Sequence, residues 1–158
     1  MKGPALGPSP SKEAMQLPRT ITLAASLPAP PDQLFDMYLD ADAHAAFTGS
    51  PVVIGARSGA PFRAFDGVLT GTVLHVEAKR VVAQTWRSAR WPAGAADSVL
   101  VLSFWPESEG GRIELVHVNV PEEDFAGVSD GWHKYYWAPW RAYLGDASAW
   151  SPVPGGVG

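Results

Sequence analysis

The 158-residue chain contains no cysteine, which excludes disulfide bonds, thiolate nucleophiles and cysteine-ligated metal sites. It also lacks an apolar run of the roughly 20 residues that a membrane-spanning helix needs. Its first 18 residues lack the apolar core of a signal peptide. Basic residues are few and scattered, and the formal net charge of −4 argues against nucleic-acid binding. We therefore expect a cytoplasmic protein with no nucleic-acid or membrane partner.

Motifs for metal binding and nucleophilic catalysis are missing as well. The histidines His44, His75, His117 and His133 lie on separate predicted elements and show no metal-ligand spacing. The sequence has neither a phosphate-binding glycine loop nor a Gly-x-Ser-x-Gly nucleophile elbow. The acidic run Glu122-Glu123-Asp124 precedes a predicted helix, whose positive dipole end favours anions. We expect no catalytic residue, metal or cofactor; whether the chain is an enzyme stays open, with a non-enzyme favoured.

The composition is that of one globular domain. Apolar residues make up 46% of the chain and charged residues 18%, so there is enough apolar surface to bury a core. Proline-rich residues 1–18 predict a flexible tail, and residues 146–158 predict another. The ordered domain is therefore placed at residues 19–145, as a monomer or a weak homodimer.

The first part of this domain is predicted to be a strand followed by two short helices. Residues 19–27 alternate as a half-buried strand. Pro31 suits the first position of a helix that continues to Leu39. A second helix over residues 42–47 is ended by Thr48-Gly49.

The middle of the chain is strand-like. The predicted strands are residues 52–54, 61–65, 68–77, 81–87, 98–105 and 112–120. Asp66-Gly67 predicts a hairpin turn. In the strand after it, the residues predicted to share one face are Val68, Thr70, Thr72, Leu74 and Val76. The continuous apolar strand 98–105 is expected to be covered on both faces. In the last strand, Ile113, Leu115, His117 and Asn119 share the face expected to point inwards.

The last predicted element is a helix over residues 130–144. Ser129 or Asp130 would cap its start, and Gly145 would end it. Its apolar stripe consists of Trp132, Tyr136, Trp140 and Tyr143. Pro139 lies inside the helix, removes one backbone hydrogen bond and should bend it. No other element is long enough to cover the apolar face of the sheet, so we expect the sheet to wrap this helix.

Five local sequences form a recognisable combination: residues 46–49 (AFTG), Trp86-Arg87, Trp91-Pro92, residues 131–137 (GWHKYYW) and residues 141–144. Together they resemble the C-terminal domain of the activator of heat shock protein 90 ATPase, a branch of the START-like (Bet v 1-like) superfamily. The resemblance implies an α+β helix-grip fold, β-α-α-β(5–6)-α, with a curved antiparallel sheet of about six or seven strands around the C-terminal helix. The eukaryotic activator also has a separate N-terminal domain, for which the first 18 residues are too short.

The aromatic stripe predicts a cavity between sheet and helix, because large rigid rings leave gaps that smaller side chains would close. The predicted ligand-binding residues are Phe47, Phe65, Trp86, Leu115, His117, Trp132, Tyr136 and Trp140. For His117 two interpretations are open. It is either a general base or polar anchor, or a core histidine bonded to the hydroxyl of Tyr135 or Tyr136.

Three functions remain at this point. The first is binding of a hydrophobic or aromatic small molecule, and the second is association with a heat shock protein 90 homologue. The third is a cyclase- or aromatase-like enzyme, which the superfamily resemblance allows and which ranks last.

Overall fold

The computed structural model describes residues 17–145. One strand is followed by two helices, then by six strands, and last by the C-terminal helical segments. The strands are β1 (Arg19–Leu27), β2 (Val52–Val53), β3 (Pro61–Ala64), β4 (Leu69–Glu77), β5 (Val81–Ser88), β6 (Ser98–Glu107) and β7 (Gly110–Val120). The helices are α1 (Pro31–Leu39), α2 (Ala41–Thr48), α3 (Phe125–Gly131), a π-helical segment (Trp132–Trp137) and α4 (Ala138–Gly145). The predicted C-terminal tail, and all but two residues of the N-terminal one, lie outside the described residues.

The seven strands form one antiparallel sheet in the order β1-β7-β6-β5-β4-β3-β2. The first strand pairs with the last, so the chain passes from one edge of the sheet to the other through α1 and α2. Helix α1 packs on β6 and β7, and the ring of Phe35 meets Phe104 edge-on at 5.6 Å. The predicted α+β helix-grip architecture, with a seven-stranded sheet and a long C-terminal helix, is confirmed.

The two short helices begin and end where local chemistry predicts. Pro31 stands at the first position of α1. Asp40 caps α2 by accepting a hydrogen bond from the Ala43 N–H at 3.0 Å, and Gly49 ends α2 in the left-handed conformation. Within residues 17–145, no helix combines the length and apolar character needed to cross a bilayer.

The C-terminal helix, residues 125–145, starts earlier than the sequence predicts. It begins at Phe125 rather than Asp130, after a 3₁₀ turn at Glu122–Asp124, so neither Ser129 nor Asp130 caps it. In the π-helical segment the Ala138 N–H donates to the carbonyl of His133, five residues back. This wider turn directly precedes Pro139, the residue that has no N–H to continue an α-helical ladder.

The face prediction for β4 fails at Val76. Val68 and Leu74 are exposed to 40% and 46%, whereas Leu69 and Val73 on the other face are buried. A bulge between Val73 and His75 shifts the alternation, so that Val76 packs against the core instead of sharing the face of Leu74. A single-residue shift moves every side chain to the opposite face of a strand.

Two inferences about β6 and β7 also need correction. Strand β6 buries only one face; Leu100 and Leu102 point into the core, while Val101 between them is half-buried. At the end of β7, Asn119 does not continue the inward face of His117. Asn119 adopts a φ of 67° and donates to the Asp97 carbonyl at 2.9 Å, and Val120 takes the buried position.

We predict that Gly71→Ala destabilises the sheet. A Cβ at this position would overlap the backbone carbonyl oxygen of Thr85 in β5, which cannot rotate away. The unfolding free energy measured by urea denaturation should fall by roughly 2 kcal/mol or more. Gly94→Ala is the matched control, because its Cβ meets no atom within 4 Å and should change stability by less than about 0.5 kcal/mol. Equal effects of the two substitutions would contradict the close approach.

Candidate functional site

A cleft of about 470 Å³ opens between the first half of the C-terminal helix and strands β4 and β5. This volume lies in the range of small-molecule sites. The apolar lining consists of Phe65, Val68, Leu69, Trp86, Val128, Trp132, Tyr135 and Tyr136. The cleft is therefore mainly a set of aromatic walls, formed by the sheet on one side and the helix on the other.

The rings of the inner wall are packed against one another. The Trp132 ring lies 4.7 Å from that of Tyr136, and Phe65 meets Tyr136 edge-on at 6.2 Å. On the sheet side the Trp86 ring lies 5.6 Å from Trp91, which is buried behind it. Such tilted and edge-to-face contacts are favourable arrangements for aromatic pairs and hold the wall in one shape.

A buried hydrogen-bond chain joins the helix to the sheet behind this wall. The indole Nε1–H of Trp132 donates to Nδ1 of His117 at 3.2 Å. Because indole is a donor only, Nδ1 carries the lone pair and the proton of His117 sits on Nε2. That Nε2–H donates to Ser98 Oγ at 2.8 Å, and Ser98 in turn donates to the Trp86 carbonyl at 2.5 Å.

Both ring nitrogens of His117 are therefore engaged within the protein. Burial lowers the pKa of its imidazole from 6.5 to about 3, so the ring is neutral at neutral pH. Its only lone pair is already occupied by the Trp132 indole, which leaves no site for abstracting a proton from a ligand. These hydrogen bonds agree with the interpretation as a core histidine, but the predicted tyrosine partner is wrong: the partners of His117 are Trp132 and Ser98.

His44, from α2, is the histidine that does contact a tyrosine hydroxyl. Its Nδ1–H donates to the Tyr38 carbonyl at 2.7 Å, which leaves Nε2 to accept from the Tyr136 hydroxyl at 2.8 Å. Burial lowers the pKa of His44 to about 4 and raises that of Tyr136. The Tyr136 ring faces the cleft while its hydroxyl is directed into the core and satisfied there.

The helix face that borders the cleft carries two glycines one turn apart, Gly127 and Gly131. A Cβ at Gly131 would meet only the Tyr135 ring, at 3.7 Å, an ordinary van der Waals contact. Packing therefore does not require glycine at position 131. The missing side chain leaves space in the cleft at a cost in helix propensity of roughly 1 kcal/mol relative to alanine.

The polar lining residues are Ser88, Arg90, Asp124, Asp130 and Lys134. Asp124 Oδ2 accepts a hydrogen bond from Trp91 Nε1 at 2.7 Å, which ties the β5–β6 loop to the start of the C-terminal helix. Among the described residues, Arg90 has no carboxylate within ion-pair distance. Lys134 Nζ lies over the Tyr135 ring, 5.3 Å from its centroid, so a positive charge borders the aromatic wall of the helix.

The structure places the eight sequence-predicted site residues in two groups. Phe65, Trp86, Trp132 and Tyr136 line the cleft. Phe47, Leu115, His117 and Trp140 lie in the core behind it, where the Phe47 and Trp140 rings stack in parallel at 4.0 Å. For all eight residues, a role in ligand binding stays a prediction.

Sequence reasoning missed most of the cleft lining, including two glycines and an arginine. Gly127 and Gly131 were not expected at the cleft, although glycine four residues apart on a helix face is a visible pattern. Arg90 lies in a loop, for which periodicity gives no orientation. Among residues 17–145, no group of three His, Asp or Glu side chains is arranged to hold a metal ion.

Comparison with known proteins gives a consistent family. Residues 28–145 match the family model described as "Activator of Hsp90 ATPase homolog 1-like protein". The human activator of 90 kDa heat shock protein ATPase homolog 1 is 24% identical over 135 residues, which cover 82% of this chain and 40% of the human protein. The mouse protein of that name is 25% identical over 116 residues, which cover 73% of this chain and 34% of the mouse protein.

The chain thus spans only about a third to two-fifths of the length of these curated relatives. Among solved structures, an HSP90 activator from Plasmodium falciparum superposes with a TM-score of 0.72 at 18% identity. The match covers 80% of this chain and 96% of that one. At this identity the likeness shows the shared fold.

We predict that the unfolding free energy falls as the pH is lowered from 7 to 5. The folded-state pKa values of His44 (about 4) and His117 (about 3) lie below the ordinary 6.5, so the unfolded chain binds protons first. Above pH 6.5 the unfolding free energy keeps its full value. Below that pH, each of the two histidines lowers it by about 1.4 kcal/mol per pH unit, or by about 2 kcal/mol at pH 5.

Urea denaturation at pH 7.5, 6 and 5 measures this dependence. In the His117→Gln variant the slope of stability against pH should fall to about half, because only His44 then remains neutral in the fold. A slope unchanged by the substitution would contradict the buried, neutral state of His117.

Proposed function

Because the chain belongs to the family of activator of Hsp90 ATPase homolog 1-like proteins and its helix-grip fold contains an aromatic cleft, we propose that it is a binding domain for a flat, apolar small molecule. The observation that supports this most is the volume of about 470 Å³ bordered by the rings of Trp86, Trp132 and Tyr136. Flat apolar molecules match such walls in both shape and polarity.

The helix sequence around the cleft supports binding over simple packing. A core helix would gain stability from alanine or leucine at position 131, where a Cβ fits without conflict. Glycine there instead leaves open a space in the cleft beside the Tyr135 ring. A ligand that fills this space would recover the apolar contact that the protein itself does not make.

Enzymatic chemistry of the cyclase or aromatase kind is less well supported. It would need a base or acid directed at the ligand, and both candidates on the inner wall are engaged. The His117 lone pair accepts from Trp132, and the Tyr136 hydroxyl donates to His44. We therefore propose binding without a catalytic residue.

We predict that Gly131→Leu blocks the cleft without destabilising the fold. The neutral fluorescent probe N-phenyl-1-naphthylamine should bind the wild-type chain saturably. It should bind Gly131→Leu at least roughly tenfold more weakly, because the leucine side chain occupies the space of one ring. Gly131→Ala is the matched control and should stay within about threefold of the wild type, since a methyl group removes little volume.

Urea denaturation accompanies the titration, and both variants should be at least as stable as the wild type because each replaces a helical glycine. If Gly131→Leu is folded and binds the probe as tightly as Gly131→Ala, the probe does not use this cleft. That result would remove the proposal.

A second candidate function is association with a chaperone of the Hsp90 class. The family match and the names of the curated relatives favour it. The solved Plasmodium HSP90 activator, matched over 96% of its chain, shows that this single fold occurs in a protein of that description. A domain of this kind could act on a chaperone through its outer surface, independently of the cleft.

We expect the purified chain to bind a bacterial Hsp90 homologue and change its ATPase rate. A coupled ATPase assay with increasing amounts of the chain, together with sedimentation of the mixture, measures both effects. The Gly131→Leu variant separates the two functions, because it alters the cleft and leaves the remaining surface as it is. An ATPase rate that does not change at saturating amounts of the wild-type chain would exclude the chaperone function.

A further inference from the structure

The polar groups of the aromatic walls are nearly all used within the protein. Trp132 Nε1–H donates to His117, and the Tyr136 hydroxyl donates to His44. The indole nitrogen of Trp86 is buried and has no hydrogen-bond partner among the described residues. The inner part of the cleft therefore offers a ligand ring faces and hydrocarbon, and a polar group placed there would lose its hydrogen bonds to water without replacement.

Ser88, at the edge of the aromatic walls, also keeps an unused donor. Ser88 is 5% exposed, and its Oγ accepts a hydrogen bond from the Arg90 backbone N–H at 3.1 Å. A serine hydroxyl can also donate one hydrogen bond, and among the described residues no acceptor takes it. A buried hydroxyl with a free hydrogen is a built-in place for a ligand oxygen.

The Arg90 side chain lines the cleft two residues further along. No described carboxylate lies within ion-pair distance of its guanidinium group, in contrast to Arg87, which meets Asp97 at 3.1 Å. Ser88 and Arg90 together thus present donors and one positive charge, and no acceptor of their own is directed at a ligand.

The two carboxylates of the lining do not cancel this preference. Asp124 holds the Trp91 indole N–H through Oδ2, and its Oδ1 lies 2.7 Å from the position that a Cβ on Gly127 would take. Among the described residues, Asp130 makes no ion pair, and Lys134 Nζ lies over the Tyr135 ring, 5.3 Å from its centroid. Arg90 is the unpaired cation two residues from Ser88, and Lys134 is a second unpaired cation on the helix side of the cleft.

We propose that the natural ligand of the cleft is an apolar acid: a flat ring system carrying a single carboxylate. The ring system lies between the aromatic walls, and the carboxylate accepts hydrogen bonds from the Ser88 hydroxyl and the Arg90 guanidinium. This inference rests on the proposed binding function and adds the chemical class of the ligand and the residues that select it.

Three probes of equal size and different charge test the proposal: 2-naphthoate, neutral 2-naphthamide and 2-naphthylmethylammonium. Affinities for the wild-type chain are measured by calorimetry at low salt. The carboxylate should bind roughly tenfold or more tightly than the amide, as expected for a charge-assisted hydrogen bond, and the ammonium should bind most weakly. Loss of naphthoate binding in Gly131→Leu assigns the site to the cleft.

Arg90→Gln should abolish most of the preference for carboxylate over amide and leave the affinity for the amide unchanged. Ser88→Ala should reduce the same preference by a smaller factor. Arg57→Gln is the matched control, because Arg57 is exposed and lies outside the cleft lining. The substitution changes the net charge by the same amount as Arg90→Gln. The control should keep the wild-type preference.

The outcomes separate this inference from the proposal beneath it. If naphthoate and naphthamide bind equally and Arg90→Gln changes neither, or if the ammonium binds best, the acid preference is overturned and the apolar cleft remains. If none of the three probes binds the wild-type chain, the binding function itself is overturned.

Discussion

The hydrogen bond from the Trp132 indole to His117 is the constraint on which the rest of the site depends. It is a contact between neutral groups buried on facing elements, so it forms only if the helix lies at one height and one rotation on the sheet. Breaking it would leave an unsatisfied donor and acceptor in the core, at roughly 1–3 kcal/mol for each. The Tyr136–His44 bond, one helical turn later, fixes the same helix against α2.

These two bonds also determine the chemistry of the cleft. Each takes a polar group that an aromatic ring could have offered to a ligand and directs it into the core instead. What remains on the cleft side is ring surface, with polar groups confined to Ser88 and the charged residues of the lining. The neutrality of both histidines follows from the same arrangement, since a proton on His117 Nδ1 would face the Trp132 N–H. The hydroxyl of Tyr136 and the imidazole of His117 are thereby both engaged within the protein.

Sequence patterns predicted most of the fold. Of the eight residues that they named for the site, four line the cleft. The alternation of Ile113, Leu115 and His117 in β7 identified an inward face correctly, because a regular strand preserves its period of two. The prediction failed at Asn119, which is left-handed, and at Val76, which follows a bulge in β4. Hydrogen-bond partners were beyond reach, because His44 and Tyr136 are 92 residues apart and only the tertiary fold brings them together.

The C-terminal helix packs on the core, yet its own sequence favours a regular α-helix only weakly. Gly127 and Gly131 lower its helix propensity, a π-helical segment interrupts its regular turns, and Pro139 follows directly. Such departures from local consistency are expected where a sequence serves a purpose other than stability. Here the glycines border the cleft, and the π-helical segment carries Trp132 and Tyr136, the two residues that anchor the helix. The residues that lower the local stability of the helix therefore lie beside the cleft, where a bound ligand would add apolar contact.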